Sequence, residues 1–232
     1  MNRTANVVRM QLVNQRTFIW LPLTVLGGSF AVSLAIYAII NSTAHPDQPI
    51  YGGGVQAPLW YFAAIGVQAL TLTFPFSQAM SVTRREFYLG TMLTAALTAV
   101  GLAVIFVVAG LIENATDGWG VNGYFFHLPW IWKSGPLAAG FAFFVAALLV
   151  FTVGFWGSTI FKRAGMTGIV VLGIALALVA VLAIWLLTKF DGWAPFWRWI
   201  NDQGALGLAG WGLLLTAALS AVSYATLRRA IP

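Results

Sequence analysis

Residues 81–90, a run between two apolar stretches, carry the densest group of functional side chains in the sequence. They combine a hydroxyl, two guanidinium groups, a carboxylate and two aromatic rings, namely Thr83, Arg84, Arg85, Glu86, Phe87 and Tyr88. Ser81 or Thr83 can cap a helix whose first turn contains Glu86. These features predict a short cytosolic helix with charged and aromatic anchors. The simpler alternative is a basic loop that fixes membrane topology beside lipid headgroups.

The sequence lacks the patterns that catalysis or metal binding would need within this chain. There is no cysteine, and His45 and His127 stand apart without carboxylates at ligand spacing. An ATP-binding loop requires Gly-Lys-Ser/Thr, yet Lys133, Lys162 and Lys189 follow Trp, Phe and Thr. We therefore expect a protein that is not an enzyme, with no metal and no cofactor of its own.

The elements that carry these residues are predicted to lie in a membrane. Of the 232 residues, 60% are hydrophobic and 8% charged, too few polar groups for a soluble domain. The apolar residues gather in stretches of about 20 or more, enough to cross about 30 Å of hydrocarbon. We predict an all-α polytopic protein with one membrane domain over residues 1–232. It has an amphipathic helix at about 1–16 and six spans near 17–40, 57–80, 91–112, 136–160, 166–188 and 205–227.

The charges between these spans indicate the orientation of the chain. Nine basic residues and one acidic residue fall on one side, in the two tails and the loops containing Arg84 and Lys162. The other side has three basic and five acidic residues, among them Asp47, Glu113 and Asp117. Short basic loops stay in the cytoplasm, so both termini are predicted to be cytoplasmic. The net charge of +6 then sits at helix ends, which argues against a nucleic-acid partner.

The predicted spans contain no Asp, Glu, Lys, Arg or His, which disfavours ion-coupled carriers, proton pumps and intramembrane proteases. The second span is nevertheless polar, with Gln68, Thr71, Thr73, Ser77 and Gln78. We expect Gln68, Thr71 and Phe74 to meet an apolar or amphipathic substrate, although hydrogen bonding between helices is the simpler explanation. The aromatic residues 192–200 predict an interfacial or re-entrant segment on the outer side.

The run Ser-Val-Thr-Arg-Arg-Glu-Phe-Tyr-Leu-Gly-Thr at 81–91, between the second and third spans, resembles the coupling-helix region of permease subunits of type V bacterial ABC exporters. The amphipathic N-terminus, the six spans and the aromatic outer segment are also similar to that family. The resemblance implies two permease subunits, identical or related, in a bacterial plasma membrane. It also implies a separate ATP-binding cassette ATPase that carries ATP and Mg.

On this resemblance the ATPase would contact two groups of residues. The main contact would be Arg84, Arg85, Glu86, Phe87 and Tyr88, and a lesser one would be Lys162 and Arg163. Members of the family move antibiotics, peptides and lipids, and the sequence does not choose among them. Membrane lipids are the remaining expected partners.

Two alternatives remain open at this point. A substrate-binding membrane subunit of a vitamin uptake system also has about six spans, and Gly27, Ala31 and Ala35 could form its small-residue packing seam. A non-transporting scaffold subunit would need neither a coupling loop nor a polar cavity. A dedicated ATPase partner would favour the exporter, whereas a shared energising module and a tightly bound vitamin would favour uptake.

Overall fold

The computed structural model describes residues 7–11, 15–44, 46 and 48–228. Predictions that concern the side chain of Arg16, or Arg3, Leu12, Val13, His45, Asp47 and Arg229, lie outside this description. The described chain is helical, apart from loops and one pair of two-residue strands. The prediction of an all-α fold is confirmed.

Five helices are long and apolar enough to cross a membrane. They are α1 (Thr17–Ala44), α2 (Gln56–Ala79), α3 (Arg84–Ala115), α5 (Pro136–Lys189) and α6 (Trp193–Leu227). A short helix α4 (Pro129–Trp132) precedes α5, and strands β1 (Ile50–Tyr51) and β2 (Gly123–Tyr124) pair in parallel. Helix length and hydropathy together identify a multi-pass membrane protein.

The structure joins two of the predicted spans in one helical element. With 54 residues, α5 would be about 80 Å long if straight, far more than the hydrocarbon of a bilayer. Its backbone leaves the helical conformation at Gly165, where φ is 63° and ψ is −162°. A similar break occurs in α6 at Gly204, with φ 59° and ψ −174°. Only glycine adopts this backbone region readily, so the glycines at positions 165 and 204 allow both breaks.

Close backbone contact between α2 and the first part of α5 forms the centre of the fold. A side chain on Gly66 would collide with the carbonyl oxygen of Phe151, and one on Gly154 would collide with that of Ala63. Phe62, Ile65, Phe151 and other apolar side chains of this interface are fully buried. Small residues let membrane helices approach until their backbones touch, which favours dispersion contacts where lipid offers no hydrophobic gain.

The start of α3 confirms one local prediction and corrects another. Thr83 is the N-cap: its hydroxyl accepts a hydrogen bond from the Glu86 amide at 3.3 Å, and the Glu86 carboxylate accepts one from the Thr83 amide at 3.0 Å. This reciprocal arrangement satisfies amides that a helix start leaves open. The helix then continues without a break to Ala115. The separate short helix expected at 81–90 is therefore wrong; the run is a capped turn followed by the first turns of α3.

The aromatic segment before the last span and the N-terminal segment have defined positions where the structure describes them. Residues 192–200, expected as an interfacial or re-entrant segment, lie at the start of α6, which is helical from Trp193 until its backbone breaks at Gly204. Near the N-terminus, residues 7–11 are helical and pack on the chain, because Val7 and Gln11 are buried. The amide nitrogen of Gln11 donates to the hydroxyl of Thr91 at 2.7 Å, which fixes this segment against α3.

Candidate functional site

The two aromatic rings of the predicted contact surface lie inside the protein. Phe87 is 0% exposed and packs on Phe74 of α2, with ring centroids 5.1 Å apart. Tyr88 is 7% exposed, and its hydroxyl donates to the carbonyl of Ser220 in α6 at 2.6 Å. Phe87 is therefore closed to direct contact with an ATPase in this structure, and Tyr88 offers only the small part of its side chain that lines a cavity beside Arg85. They anchor the start of α3 to α2 and α6 instead.

The two arginines of the run have different environments. Arg84 is half-buried, and one of its guanidinium nitrogens donates to the carbonyls of Leu227 at 3.2 Å and Arg228 at 2.9 Å. A positive charge at these carbonyls also suits the negative end of the α6 dipole. Arg85 is exposed and lines a shallow cavity of about 260 Å³ with Tyr88, Leu89 and three residues of α6. Arg84 thus links the start of α3 to the end of α6. The side chain of Arg85 is exposed and accessible to a partner.

The second predicted contact lies at the same end of the molecule. Lys162 and Arg163 precede the break at Gly165, and Arg163 is exposed. Arg163 lines a cavity of about 590 Å³ with Arg228, whose carbonyl accepts the hydrogen bond from Arg84. The start of α3, the break in α5 and the end of α6 therefore form one basic end of the protein.

The predicted substrate residues of the second span do not form a common polar site. Phe74 is 2% exposed and belongs to the core beside Phe87. The hydroxyl of Thr71 donates to the carbonyl of Val67 in its own helix at 3.0 Å, and Gln68 is partly exposed. The backbone forms a π-helical turn at Ala69–Thr73 just before Pro75, which cannot donate a helical hydrogen bond. These contacts favour the packing explanation for Thr71 and Phe74.

The opposite end of α3 holds a site that the sequence did not reveal. Glu113 is 0% exposed, and its carboxylate accepts four hydrogen bonds. The donors are the indole Nε1 of Trp119 at 2.8 Å and the backbone amides of Phe125, Phe126 and His127 at 2.8, 2.7 and 2.6 Å. Each carboxylate oxygen receives two of these bonds, so neutral donors compensate the buried charge.

These hydrogen bonds hold a folded cap against the end of α3, and the cap also packs on the middle of α1. We use this name, the cap, for residues 117–132. Phe30 of α1 contacts the rings of Trp119, Phe125 and Phe126 at centroid distances of 5.1 to 5.4 Å. The indole of Trp132 donates to the Phe126 carbonyl at 3.0 Å and packs where Gly110 lacks a side chain. The cap is thus a packed unit rather than an open loop.

The turn that begins the cap has an unusual backbone. Residues Asp117, Gly118, Trp119, Gly120 and Asn122 all have positive φ. Such a sequence of left-handed residues reverses the chain within a few residues and returns it to Glu113. Beside the turn, burial raises the pKa of Tyr124, and the charge of Asp117 adds to that effect. A raised pKa favours the neutral form of the Tyr124 phenol.

Sequence reasoning counted Glu113 among the external loop charges and so missed its role. The only local signal is the cluster of Gly, Asp and Asn at 117–123, which permits the tight reversal. Within the described residues, no group of three His, Asp or Glu side chains could hold a metal ion. No protein-family model, curated protein or solved structure matches the chain significantly.

Proposed function

We propose that this chain is the membrane-spanning permease subunit of an ATP-driven exporter in a bacterial plasma membrane. A separate ATP-binding cassette ATPase, carrying ATP and Mg, energises it, and two permease subunits pair in the membrane. The substrate is apolar or amphipathic, such as an antibiotic, peptide or lipid. The support comes from the multi-pass helices, the resemblance of residues 81–91, and the way in which this run is built into the fold.

The proposed topology has six spans with both termini in the cytoplasm. The break at Gly165 supports this count, because each part of α5 exceeds the about 20 residues that a span requires. Gly204 likewise separates an aromatic surface segment from the last span. On this topology the basic end of the protein faces the cytoplasm and the cap faces outward, in agreement with the distribution of Lys and Arg.

One observation carries the proposal: the start of α3 is rigidly linked to α2 and α6 while Arg85 remains exposed. The links are the Phe87–Phe74 ring contact, the Tyr88–Ser220 hydrogen bond and the two bonds from Arg84. A loop that only fixed topology would need positive charge and no such links. A docking site that transmits movement needs both an exposed contact and a stiff connection to other spans.

The proposed ATPase contact is therefore narrower than the one expected from the sequence. Arg85 is its centre, and Lys162 and Arg163 form a lesser contact at the same end. Arg84, Phe87 and Tyr88 transmit movement from inside the chain, and Glu86 maintains the helix start. Gln68 remains a candidate substrate contact from the second span, because its side chain is partly exposed.

Copurification tests this function directly. The tagged chain is isolated from its native membrane in mild detergent, and its partners are identified by mass spectrometry together with any bound small molecule. We expect one ATPase with nucleotide-binding motifs in a fixed ratio to the permease. A shared energising module with a tightly bound vitamin would replace the proposal with uptake, and a stable complex without an ATPase would replace it with a scaffold role.

A further inference from the structure

Two adjoining cavities lie where the break in α5 meets the last turns of α6. The first, about 590 Å³, is lined by Arg163, Arg228, Thr226 and the small apolar residues Val222 and Ala225. The second, about 510 Å³, shares Arg163 and Thr226 with the first. Its other walls are mostly apolar and include Ile160, Ala164 and Val171. We call the two cavities together the basic cleft.

The charges of the basic cleft are all positive. No carboxylate lines either cavity within the part of the chain that the structure describes. The guanidinium of Arg228 lies over the ring of Tyr224, 5.8 Å from its centroid. The hydroxyl of Thr226 is already used, since it lies 2.9 Å from that of Thr159 and donates to the Ser223 carbonyl. The two guanidinium groups are therefore the charged groups available to a ligand.

The walls of the basic cleft distinguish a lipid from a soluble anion. A small anion would need only the two guanidinium groups, whereas the second cavity adds a mostly apolar wall beside them. The helix after Gly165 is also exposed along almost its whole length, with Val170, Val171 and Ile174 about half exposed or more. A phospholipid fits this arrangement, because its phosphate can sit between arginines while an acyl chain follows an apolar wall.

We propose that the basic cleft binds an anionic phospholipid, with its phosphate between Arg163 and Arg228 and an acyl chain along Ile160, Ala164 and Val171. The site rests on the proposed topology, in which this end of the protein lies at the cytoplasmic leaflet. The lipid then fills the space between the two halves of α5 and the end of α6. It occupies a position adjacent to the proposed ATPase contact without sharing Arg85.

The experiment uses the absence of cysteine in this chain. Val222, which is 47% exposed and lines the cleft, is changed to Cys and labelled with a fluorophore. The full chain is reconstituted in phosphatidylcholine vesicles that contain a minor fraction of brominated phosphatidylglycerol or of brominated phosphatidylcholine. Bromine quenches only nearby fluorophores, so the ratio of the two quenching constants reports the preference for the anionic lipid. We expect a ratio of about five or more, and a ratio near one in Arg163→Gln, Arg228→Gln.

The matched control removes two charges from the same end of the protein but outside the cleft. Arg9 and Arg85 are both exposed there, and the double variant Arg9→Gln, Arg85→Gln should keep the preference for the anionic lipid.

Equal quenching by both lipids in the labelled chain that keeps all its arginines would overturn the proposal, whether or not any arginine variant folds. Loss of the preference in the control would also overturn it, because general surface charge would then explain binding. Displacement of the lipid by millimolar phosphate would assign the cleft to free phosphate. No ATPase is present, so the result is independent of the proposed function.

Discussion

The carboxylate of Glu113 and the indole of Trp119 are joined by a hydrogen bond of 2.8 Å across the turn that begins the cap. Both groups belong to the end of the protein that is opposite the proposed ATPase contact. Three further amides donate to the same carboxylate, so one buried side chain connects α3 to residues 119–127. Among the described residues, no other side chain accepts as many hydrogen bonds from the cap as Glu113 does.

We expect Glu113→Ala to lower the free energy of unfolding by about 3 kcal/mol or more. Each buried donor left without an acceptor costs about 1–3 kcal/mol, and this change leaves two buried and two partly buried donors. Thermal unfolding of the purified protein measures the loss. Asp117→Asn is the matched control, because it removes an exposed carboxylate from the same region and Asn tolerates positive φ. An equal effect of the two changes would contradict the role given to Glu113.

The variants Arg84→Ala and Arg85→Ala should differ in stability, because Arg84 links α3 to α6 whereas Arg85 is an exposed contact residue. Arg84→Ala removes both hydrogen bonds to the end of α6 and should reduce stability by about 1–3 kcal/mol. Arg85→Ala removes an exposed charge and should change stability by less than about 0.5 kcal/mol. Thermal unfolding of the two variants in one detergent compares them. Comparable losses would show that Arg85 also has a structural partner.

The contact between α2 and α5 should not tolerate a methyl group at Gly154. Its added Cβ would lie 2.8 Å from the Cα and carbonyl carbon of Ala63, which is backbone and cannot move aside. Gly157→Ala is the control from the same helix, because no atom lies within 4 Å of a Cβ there. We expect Gly154→Ala to be obtained in low yield or with a clearly lower unfolding temperature. Equal behaviour of the two variants would mean that the helices are further apart than described.

The break in α5 should depend on glycine at position 165. Any other residue at φ 63° and ψ −162° is strained by about 1–3 kcal/mol, so Gly165→Ala should lower the unfolding temperature. Gly173→Ala lies in the following helix with open space around it and should have little effect. If both substitutions were neutral, α5 could continue as a helix through Gly165, and the support for six spans would be lost.

The sequence predicted the features that depend on local chemistry. Thr83 and Glu86 lie three residues apart in the pattern of a capping box, and Thr83 is the N-cap of α3 as expected. The surface position expected for Phe87 and Tyr88 was wrong because their burial depends on α2 and α6, far away in sequence. Glu113 was missed because its four donors, the Trp119 indole and the backbone amides of residues 125–127, reach it only when this segment folds back on α3. Every residue type except proline has a backbone amide, so the sequence does not identify these amides as donors.

The most direct test of the proposed function places a photoreactive amino acid at position 85 in cells that contain the native ATPase. Irradiation should crosslink the permease to the ATPase from position 85. It should give no such product from Trp130, an exposed residue of the cap at the other end of the protein. Adding a non-hydrolysable ATP analogue to membranes should change the yield at position 85, because a coupled ATPase moves with its nucleotide. An ATPase crosslink from Trp130 alone, or none from position 85 in a correctly inserted protein, would contradict the account.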